Sequence, residues 1–358
     1  MSEPVRSVHV GLAQRIVFGP QALDEVPAEV KAAGARRVLV VTTAGRLSSE
    51  GGERLVHRLG RTVSAVFAEA APHVPTPVVE RAVRAARSAG IDGIVSFGGG
   101  SCSDLAKAVG WFLEREGGSR LPHVAVPTTY SGAEVTPVFG MTDPGTRRKS
   151  GAVGAAPVAV VYDPVLFLDL SARVSAETGM NALAHGVEAA YSPARTPESE
   201  VLALACIREA AAALGLVVDD PFDIDARTKM LRAAMLGGRA LQNATMGVHH
   251  GLAQLVGGRA GVSHGLANAV LLSHAVRFNQ SAVDLSRIAD ALGDPEDAPG
   301  AIDRLRDRLG LPGSLADCGV TIDDLDAIAR MSGANPSVAA NPRPVAEDDA
   351  REILAAAY

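Results

Sequence analysis

The chain has 358 residues, of which 47% are hydrophobic and 4% aromatic, and its formal net charge is −6. This length suggests two domains or one large domain, with cores built from aliphatic side chains. The negative net charge argues against a nucleic-acid partner, because binding to a phosphate backbone requires a basic surface.

The first half of the chain alternates short runs of β-branched residues with helical patterns. The runs that we predict to be buried strands are residues 37–43, 64–68, 93–97, 123–126 and 158–162. Helical stretches lie between them, for example residues 77–89. Strands that alternate with helices are typical of a parallel sheet with helices on both faces. The sequence therefore predicts an α/β domain.

From about Pro164 onward the strand pattern disappears and helical patterns take its place. These patterns cover residues 175–191, 198–216, 225–242, 264–278, 283–292, 302–309 and 323–331. They predict an all-α second domain, so that residues 1–163 form the α/β domain and residues 164–358 the helical domain. We expect the two domains to pack closely, with the site between them.

The cysteines and the N-terminus indicate a cytoplasmic protein. Cys102, Cys206 and Cys318 are far apart and odd in number, which predicts neither a disulfide framework nor a cysteine metal cluster. The first residues lack the apolar core of a signal peptide. Charged residues interrupt the Ala-rich stretches, so we expect no membrane partner.

A glycine-rich loop follows the third predicted strand. Gly98, Gly99, Gly100 and Ser101 connect this strand to a helical pattern over residues 102–113. Glycines at such a turn let backbone amides approach a phosphate, and the helix N-terminus adds partial positive charge. A tight structural turn would also explain the glycines, and the G-x-G-x-x-G pattern is absent. The position at the end of a mid-sheet strand favours ligand binding.

Further polar residues follow the same edge of the predicted sheet. Asp104 and Lys107 lie on the helix after the glycine loop, where they would also suit first-turn stabilisation and a solvated lysine. Thr128 and Thr129 begin a polar segment after the next strand. Small hydroxyl side chains in this position suit nucleotide contact, although alone they would indicate only a polar loop.

Three histidine-containing segments lie between residues 181 and 268: NALAH at 181–185, HHGLAQ at 249–254 and SHGLAN at 263–268. Residues four apart share a face of a helix, so Asn181 lies beside His185, and His250 beside Gln254. His264 opens another apolar helical stretch. Three imidazoles can hold Zn²⁺ with a water molecule, but an amide in place of a carboxylate leaves the metal charge uncompensated. We therefore predict a histidine site and do not favour an obligatory metal.

The order and spacing of these segments resemble the iron-containing alcohol dehydrogenase family. The matching segments are GGGSCSDLAK, PTTYSGAEVTP, YDP, NALAHGVE, HGLAQ and SHGLANAVLL, within about residues 8 to 280. PTTYSGAEVTPVFGMTD and the asparagine at position 181 resemble the maleylacetate reductases most. The resemblance implies a dehydroquinate synthase-like fold, with an N-terminal dinucleotide-binding domain, an all-α catalytic domain and often a homodimer.

The resemblance also implies the chemistry. It indicates an NAD(P)H-dependent reductase of aromatic catabolism that transfers hydride to a small oxo-acid or conjugated enone, with a histidine as proton donor. The implied cofactor-binding residues are Gly98, Gly99, Gly100, Ser101, Asp104, Thr128, Thr129 and Thr43. Thr43 stands where an acidic residue often binds the ribose 2′-hydroxyl of NAD. Because threonine carries no charge that would repel a 2′-phosphate, neither NAD nor NADP is excluded.

The implied catalytic residues are His250, His264 and His185, with Lys149 as the first candidate for a substrate carboxylate and Arg343 as a more distant one. Three departures from the family leave the substrate open. Gln254 replaces a histidine, Ser263 replaces a proline, and the arginine that usually follows the position of Lys149 is missing.

Several alternatives remain open from the sequence. Asn181, His185, His250, Gln254 and His264 form either a substrate site or a vestigial metal site. An alcohol dehydrogenase would bind Fe or Zn through the three histidines. A non-redox lyase or cyclase, or a family member repurposed for a specialised pathway, would keep the fold but catalyse other chemistry.

Overall fold

The computed structural model describes residues 7–146 and 148–358, without the side chains of residues 148 and 149. The chain divides into two compact units. One consists of Leu12–Leu170, and the other of residues 7–11 together with Ser171–Tyr358. The first unit is α/β, and the described residues of the second form only helices and connecting segments. The predicted fold class is confirmed.

A six-stranded parallel sheet forms the centre of the first unit. The strands of the chain are β1 (Arg15–Phe18), β2 (Val38–Val41), β3 (Val63–Phe67), β4 (Gly93–Gly98), β5 (His123–Pro127), β6 (Val138–Asp143), β7 (Arg148–Val153) and β8 (Ala159–Tyr162). The sheet has the order β1-β8-β5-β4-β2-β3, and β6 and β7 form a separate antiparallel hairpin. Strands β2, β4, β5 and β8 are buried along their whole length, as expected where helices cover both faces.

α-Helices account for most of the remaining regular structure, alongside short 3-10 helices. In the first unit they are α1 (Val26–Ala32), α2 (Ala44–Leu47), α3 (Glu50–Leu59), α4 (Thr76–Ala89) and α5 (Gly100–Arg115). In the second unit they are α6 (Ala172–Tyr191), α7 (Pro197–Asp219), α8 (Ile224–Ala240), α9 (Val248–Ala260), α10 (His264–Asn279), α11 (Ser286–Leu292), α12 (Ala298–Arg308), α13 (Ile322–Ser332), α14 (Pro336–Ala339) and α15 (Glu347–Ala356). Helix α6 packs against α7, α8 and α10, so it is the central helix of this unit.

The strand order creates a topological switch point between β2 and β4. From β2 the chain continues to β3 on one side, and it then returns to β4 on the other side. In open α/β sheets, ligands bind outside the carboxyl ends of the strands at such a point. Thr43 follows β2, and the glycine loop begins at the end of β4. Both segments therefore flank the expected ligand position.

One helix, α7, is long and apolar enough to cross a membrane by its length and composition alone. In its most apolar window, 44% of the residues are buried inside the protein, and the helix packs against α6 and α8. Buried helices in the core of a globular protein meet the same criterion, so this single helix is weak evidence. The absence of a membrane partner stays a prediction.

The sheet contains one buried histidine that is separate from the histidine cluster. His123 begins β5, and its Nε2 lies 2.7 Å from the hydroxyl oxygen of Ser96. Burial, and then the charge of Lys107, lower the pKa of His123 to about 3. The imidazole is therefore neutral in the folded protein throughout the mildly acidic range.

This shift predicts a pH dependence of stability. From pH 6.5 down to about 3, the unfolded chain binds a proton at His123 that the folded chain does not. The free energy of unfolding should therefore decrease as the pH decreases over this range, by at most about 1.4 kcal/mol per pH unit from this site. Urea unfolding near neutral and mildly acidic pH measures the slope, which should be smaller in His123→Gln than in the exposed control His57→Gln. Equal slopes in the two variants would contradict the prediction.

Candidate active site

Glu188 on α6 is the buried acid at the centre of the histidine cluster. Its Oε1 accepts hydrogen bonds from the backbone amides of Gly247 at 3.0 Å and His249 at 3.1 Å, and its Oε2 accepts one from Nδ1 of His250 at 2.6 Å. The first two donors belong to the N-terminus of α9, whose dipole favours a negative charge. Burial by itself raises the pKa of Glu188, but the charge of His250 and hydrogen bonds from His249 and His250 outweigh it. The pKa therefore lies well below its usual value.

His249 helps to define the protonation of its neighbour. Its Nε2 lies 3.0 Å from the backbone carbonyl oxygen of Asn268. A carbonyl oxygen can only accept a hydrogen bond, so this nitrogen carries a hydrogen. Its Nδ1 lies 3.2 Å from Nδ1 of His250. Because a carboxylate also only accepts, His250 donates its Nδ1 hydrogen to Glu188, and Nε2 is the nitrogen whose protonation can change. The ligand atoms of Glu188, His249 and His250 lie within 4.8 Å of one another, but hydrogen bonds account for these approaches without a metal.

His185 and His264 complete the predicted histidine cluster. The ring of His185 stacks on that of His250, with centroids 4.9 Å apart and an interplanar angle of 16°. The centroid of His264 lies 5.8 Å from that of His250. Burial, and then the charge of His250, lower the pKa of His185 well below its usual value. Its Nδ1 is buried and makes no hydrogen bond to any of the described residues, so a polar atom of a bound ligand would find a partner there.

The amide residues of the cluster have different surroundings. Nδ2 of Asn268 donates to Oδ1 of Asn181 at 2.6 Å, and both side chains are buried. Gln254 instead contacts α14 and the segment before α9: its Oε1 accepts from Asn335 at 3.5 Å, and its Nε2 lies 4.0 Å from the sulfur of Met246. Among the contacts of the described residues, none joins Gln254 to the three clustered histidines.

A resident metal ion does not fit this arrangement. In a zinc site the ligating nitrogens lie about 2.0–2.1 Å from the metal and their rings point toward it edge-on. The rings of His185 and His250 instead lie face to face, and the oxygen of Asn181 already accepts a hydrogen bond from Asn268. We derive no catalytic step through a metal from these residues.

The amide at position 181 provides a direct test of the metal question. Asn181→Asp supplies the missing anionic ligand, so it should raise Zn²⁺ affinity by at least about tenfold. Competition with a chromogenic chelator measures this affinity, with Gln280→Glu as a control that adds an exposed carboxylate at the end of α10. If the two variants bind zinc equally, the amide is not what disfavours a metal.

The glycine loop forms the beginning of α5. Gly99 precedes this 16-residue helix and provides no side-chain cap, so the polarised amides can bind a phosphate. A Cβ at Gly99 would lie 2.9 Å from Oγ1 of Thr129, and one at Gly100 would lie 3.2 Å from Cβ of Ser131. Close packing against the segment after β5 therefore requires both glycines and brings hydroxyl groups to the helix N-terminus.

Two buried oxygen atoms near this loop also indicate a ligand site. Oγ1 of Thr128 and Oγ of Ser103 are buried and have no hydrogen-bond partner among the described residues. The backbone amide of Thr128 donates to the carbonyl oxygen of Gly98 at 3.0 Å, which places it at the end of β4. These features fit the phosphates of a dinucleotide, which Gly98–Ser101, Thr128 and Thr129 would hold.

Asp104 and Lys107 connect α5 to the segment that follows β5. Nζ of Lys107 lies 2.8 Å from Oδ1 of Asp104 and donates to the carbonyl oxygens of Ala133, at 2.9 Å, and Val138. Oδ2 of Asp104 accepts from the amide of Gly140 at 3.3 Å. The solvated lysine that the sequence pattern allowed is wrong, because the side chain of Lys107 is fully buried in this ion pair, whereas that of Asp104 is 24% exposed. The assignment of Asp104 to cofactor binding stays a prediction.

The remaining candidates are placed as follows. Oγ1 of Thr43 accepts from the amide of Arg46 at 3.2 Å and caps α2. The side chain of Lys149 lies outside the described residues. The guanidinium of Arg343 stacks 3.8 Å over the ring of Phe278 and donates to its carbonyl oxygen at 2.9 Å, so it stabilises the end of α10.

The packing around Gly99 predicts the effect of a side chain there. Gly99→Val should weaken binding of the reduced cofactor by about tenfold or more, because the side chain displaces Thr129 and crowds the phosphate position. Fluorescence titration with NADH and NADPH measures this. Gly333→Val is the matched control, since a Cβ at Gly333 meets no atom within 4 Å. Unchanged cofactor affinity in Gly99→Val would leave the loop with only a structural role.

Two family profiles match the chain. The profile described as iron-containing alcohol dehydrogenase matches residues 13–164, and the profile of the C-terminal part of the Fe-containing alcohol dehydrogenase family matches residues 175–358. Together with the parallel sheet and the helical unit, these matches define the class. The chain belongs to the iron-containing alcohol dehydrogenase family, and it is an NAD(P)-dependent oxidoreductase.

Within this family the chain is similar to maleylacetate reductases. It is 39% identical to maleylacetate reductase 2 of Cupriavidus pinatubonensis, over 96% of this chain and 94% of the relative. The crystal structure of maleylacetate reductase from Agrobacterium tumefaciens has a TM-score of 0.89 and 36% identity, and the match covers 99% of this chain and 98% of that one. A structure of 1,3-propanediol oxidoreductase has a TM-score of 0.93 and 30% identity, with 99% and 100% covered. The chain is an NAD(P)H-dependent reductase that resembles maleylacetate reductase.

Proposed function

We propose that this chain reduces maleylacetate, or a closely related enone that bears carboxylates, with His250 as the proton donor. The observation that carries the proposal is the buried hydrogen bond between Glu188 and His250, at 2.6 Å. A carboxylate that orients an imidazole is a common device for proton transfer, because it fixes the tautomer and stabilises the imidazolium. The similarity to maleylacetate reductases over almost the whole chain supports the substrate class.

The reaction requires one hydride and one proton. Maleylacetate is a dicarboxylate whose carbon–carbon double bond is conjugated to a ketone, and bound NAD(P)H supplies the hydride to one alkene carbon. Negative charge then develops on the ketone oxygen. Nε2 of His250 donates its proton to the substrate, and the imidazole returns to the neutral form. Glu188 stabilises the charged imidazole before this transfer.

Two features of the cluster favour an anionic substrate. Glu188 contacts His249 and His250, and its charge is matched by His250. His185 offers a buried ring nitrogen without a partner in the described part of the chain. An incoming carboxylate would therefore meet polar hydrogen-bonding atoms. Lys149 is proposed as a further carboxylate ligand.

The direct test is oxidation of NADH and NADPH by maleylacetate with metal-stripped protein, repeated with added Zn²⁺ or Fe²⁺. We expect turnover in the metal-free protein. Turnover only after metal addition would instead indicate a metal-dependent alcohol dehydrogenase. No turnover under either condition would refute the proposal.

The hydrogen bond between Glu188 and His250 predicts that substitutions of either residue lower turnover and leave cofactor binding nearly unchanged. His250→Ala should lower kcat by about tenfold or more, because it removes the proton donor. Glu188→Gln, which keeps the volume and an acceptor for the amides of α9, should also lower kcat, while the Kd for NADH stays nearly constant. His274→Ala is the control, because His274 is not part of the histidine cluster. Unaltered turnover in His250→Ala would remove His250 from the catalytic groups.

We also propose a cytoplasmic homodimer. The three cysteines are free thiols, as expected in a reducing compartment. Strand β1 lies at one edge of the sheet and pairs with β8, and an edge strand can pair with a second copy. Light scattering in solution distinguishes a dimer from a monomer, and a monomer would contradict this proposal.

A further inference from the structure

Arg46 contributes a cation near the carboxyl end of β2, beside the switch point. Thr43 is extended, and its side chain accepts the amide of Arg46, which fixes the first turn of α2. Dinucleotide-binding sheets read the adenosine ribose near such a strand end: an acidic residue binds the 2′-hydroxyl, whereas a nearby arginine accommodates a 2′-phosphate. In this chain the uncharged Thr43 occupies the position of the acidic residue, and Arg46 is the nearby arginine.

The side chain of Arg46 is held in place by a partner that a phosphate can replace. Its Nη1 donates to both carboxylate oxygens of Asp169, at 2.8 and 2.9 Å. The side chain of Arg46 is 21% exposed and that of Asp169 is 54% exposed. An ion pair in such a position contributes little to stability, because water screens it. Asp169 therefore orients the guanidinium, which stays partly exposed to solvent.

The charge of Arg46 acts on the glycine loop as well. Burial raises the pKa of the Cys102 thiol to about 12, and the charge of Arg46 is the largest effect that opposes this rise. Cys102 lies in the first turn of α5, where we place the dinucleotide phosphates. The guanidinium is therefore electrostatically coupled to the phosphate site, as a residue that binds another part of the same cofactor should be.

We propose that Arg46 binds the 2′-phosphate of NADPH, in competition with Asp169. This inference rests on the proposed reductase function and names the nicotinamide cofactor that the same site selects: NADPH is used at least as well as NADH. Arginine suits this role, because its planar guanidinium can donate two parallel hydrogen bonds to phosphate oxygens. A phosphate dianion attracts the cation more strongly than the single charge of Asp169 does.

The experiment measures the Kd for NADPH and for NADH by nicotinamide fluorescence, with no substrate present. Arg46→Gln should weaken NADPH binding by about tenfold and leave NADH within about twofold. Asp169→Asn should strengthen NADPH binding by about threefold, since the competing carboxylate is removed. Thr43→Asp, which preserves the helix cap, should weaken NADPH binding relative to NADH. Arg58→Gln is the control, because Arg58 pairs with Asp24 instead.

The outcomes separate this inference from the proposed function. An unchanged Kd for NADPH in Arg46→Gln overturns the inference, and so does a wild-type protein that binds NADH but not NADPH. In either case the reductase proposal stands. If the wild-type protein binds neither nucleotide, both proposals fail. The Kd for NADH in Arg46→Gln shows whether the site is still folded, so a loss of both cofactors in that variant also counts against a specific role for Arg46.

Discussion

The buried carboxylate of Glu188 is the constraint on which the histidine cluster depends. An isolated ionised carboxylate in a protein interior is costly unless hydrogen bonds and opposite charge compensate it. Here the compensation comes from the first amides of α9 and from His250. Because Glu188 lies on α6, these bonds fix the start of α9 against α6. They also determine which nitrogen of His250 can exchange a proton.

Small residues allow the helices to approach closely enough for these contacts. A Cβ at Gly237 on α8 would lie 3.0 Å from the carbonyl oxygen of Ala182 and 3.3 Å from Cβ of His185. A Cβ at Gly251 on α9 would lie 2.5 Å from a methyl carbon of Val338. Interiors pack at crystal-like density, so larger residues would have to move these helices apart. The position of His185 thus depends on a glycine outside the histidine motifs.

The sequence predicted the parts of the fold that local patterns encode. The five predicted strands correspond to β2, β3, β4, β5 and β8, because runs of β-branched residues favour strands. The prediction that residues 64–68 are buried was wrong, since β3 lies at the edge of the sheet and alternates between exposed residues and residues that are partly or fully buried. Strand β1, a partly exposed strand at the edge of the sheet, was missed, and so was the hairpin of β6 and β7, whose glycine-containing sequence has no clear alternation. Glu188 was also missed, because its amide partners lie 59 and 61 residues away in the chain. Gln254 shared a helix with His250 as predicted, yet tertiary packing directs it toward Asn335.

The asparagine at position 181 is consistent with a site that transfers protons without a metal. A carboxylate at this position would place a second buried acid on α6, two helical turns before Glu188, and without a cation it would lack compensation. The amide avoids this cost, because it accepts a hydrogen bond from Asn268. The backbone carbonyl oxygen of Asn268 in turn accepts a hydrogen bond from Nε2 of His249. The neutral amide therefore belongs to the same hydrogen-bonded group that orients His250, and the charge balance of the cluster rests on Glu188 and the imidazole that it holds.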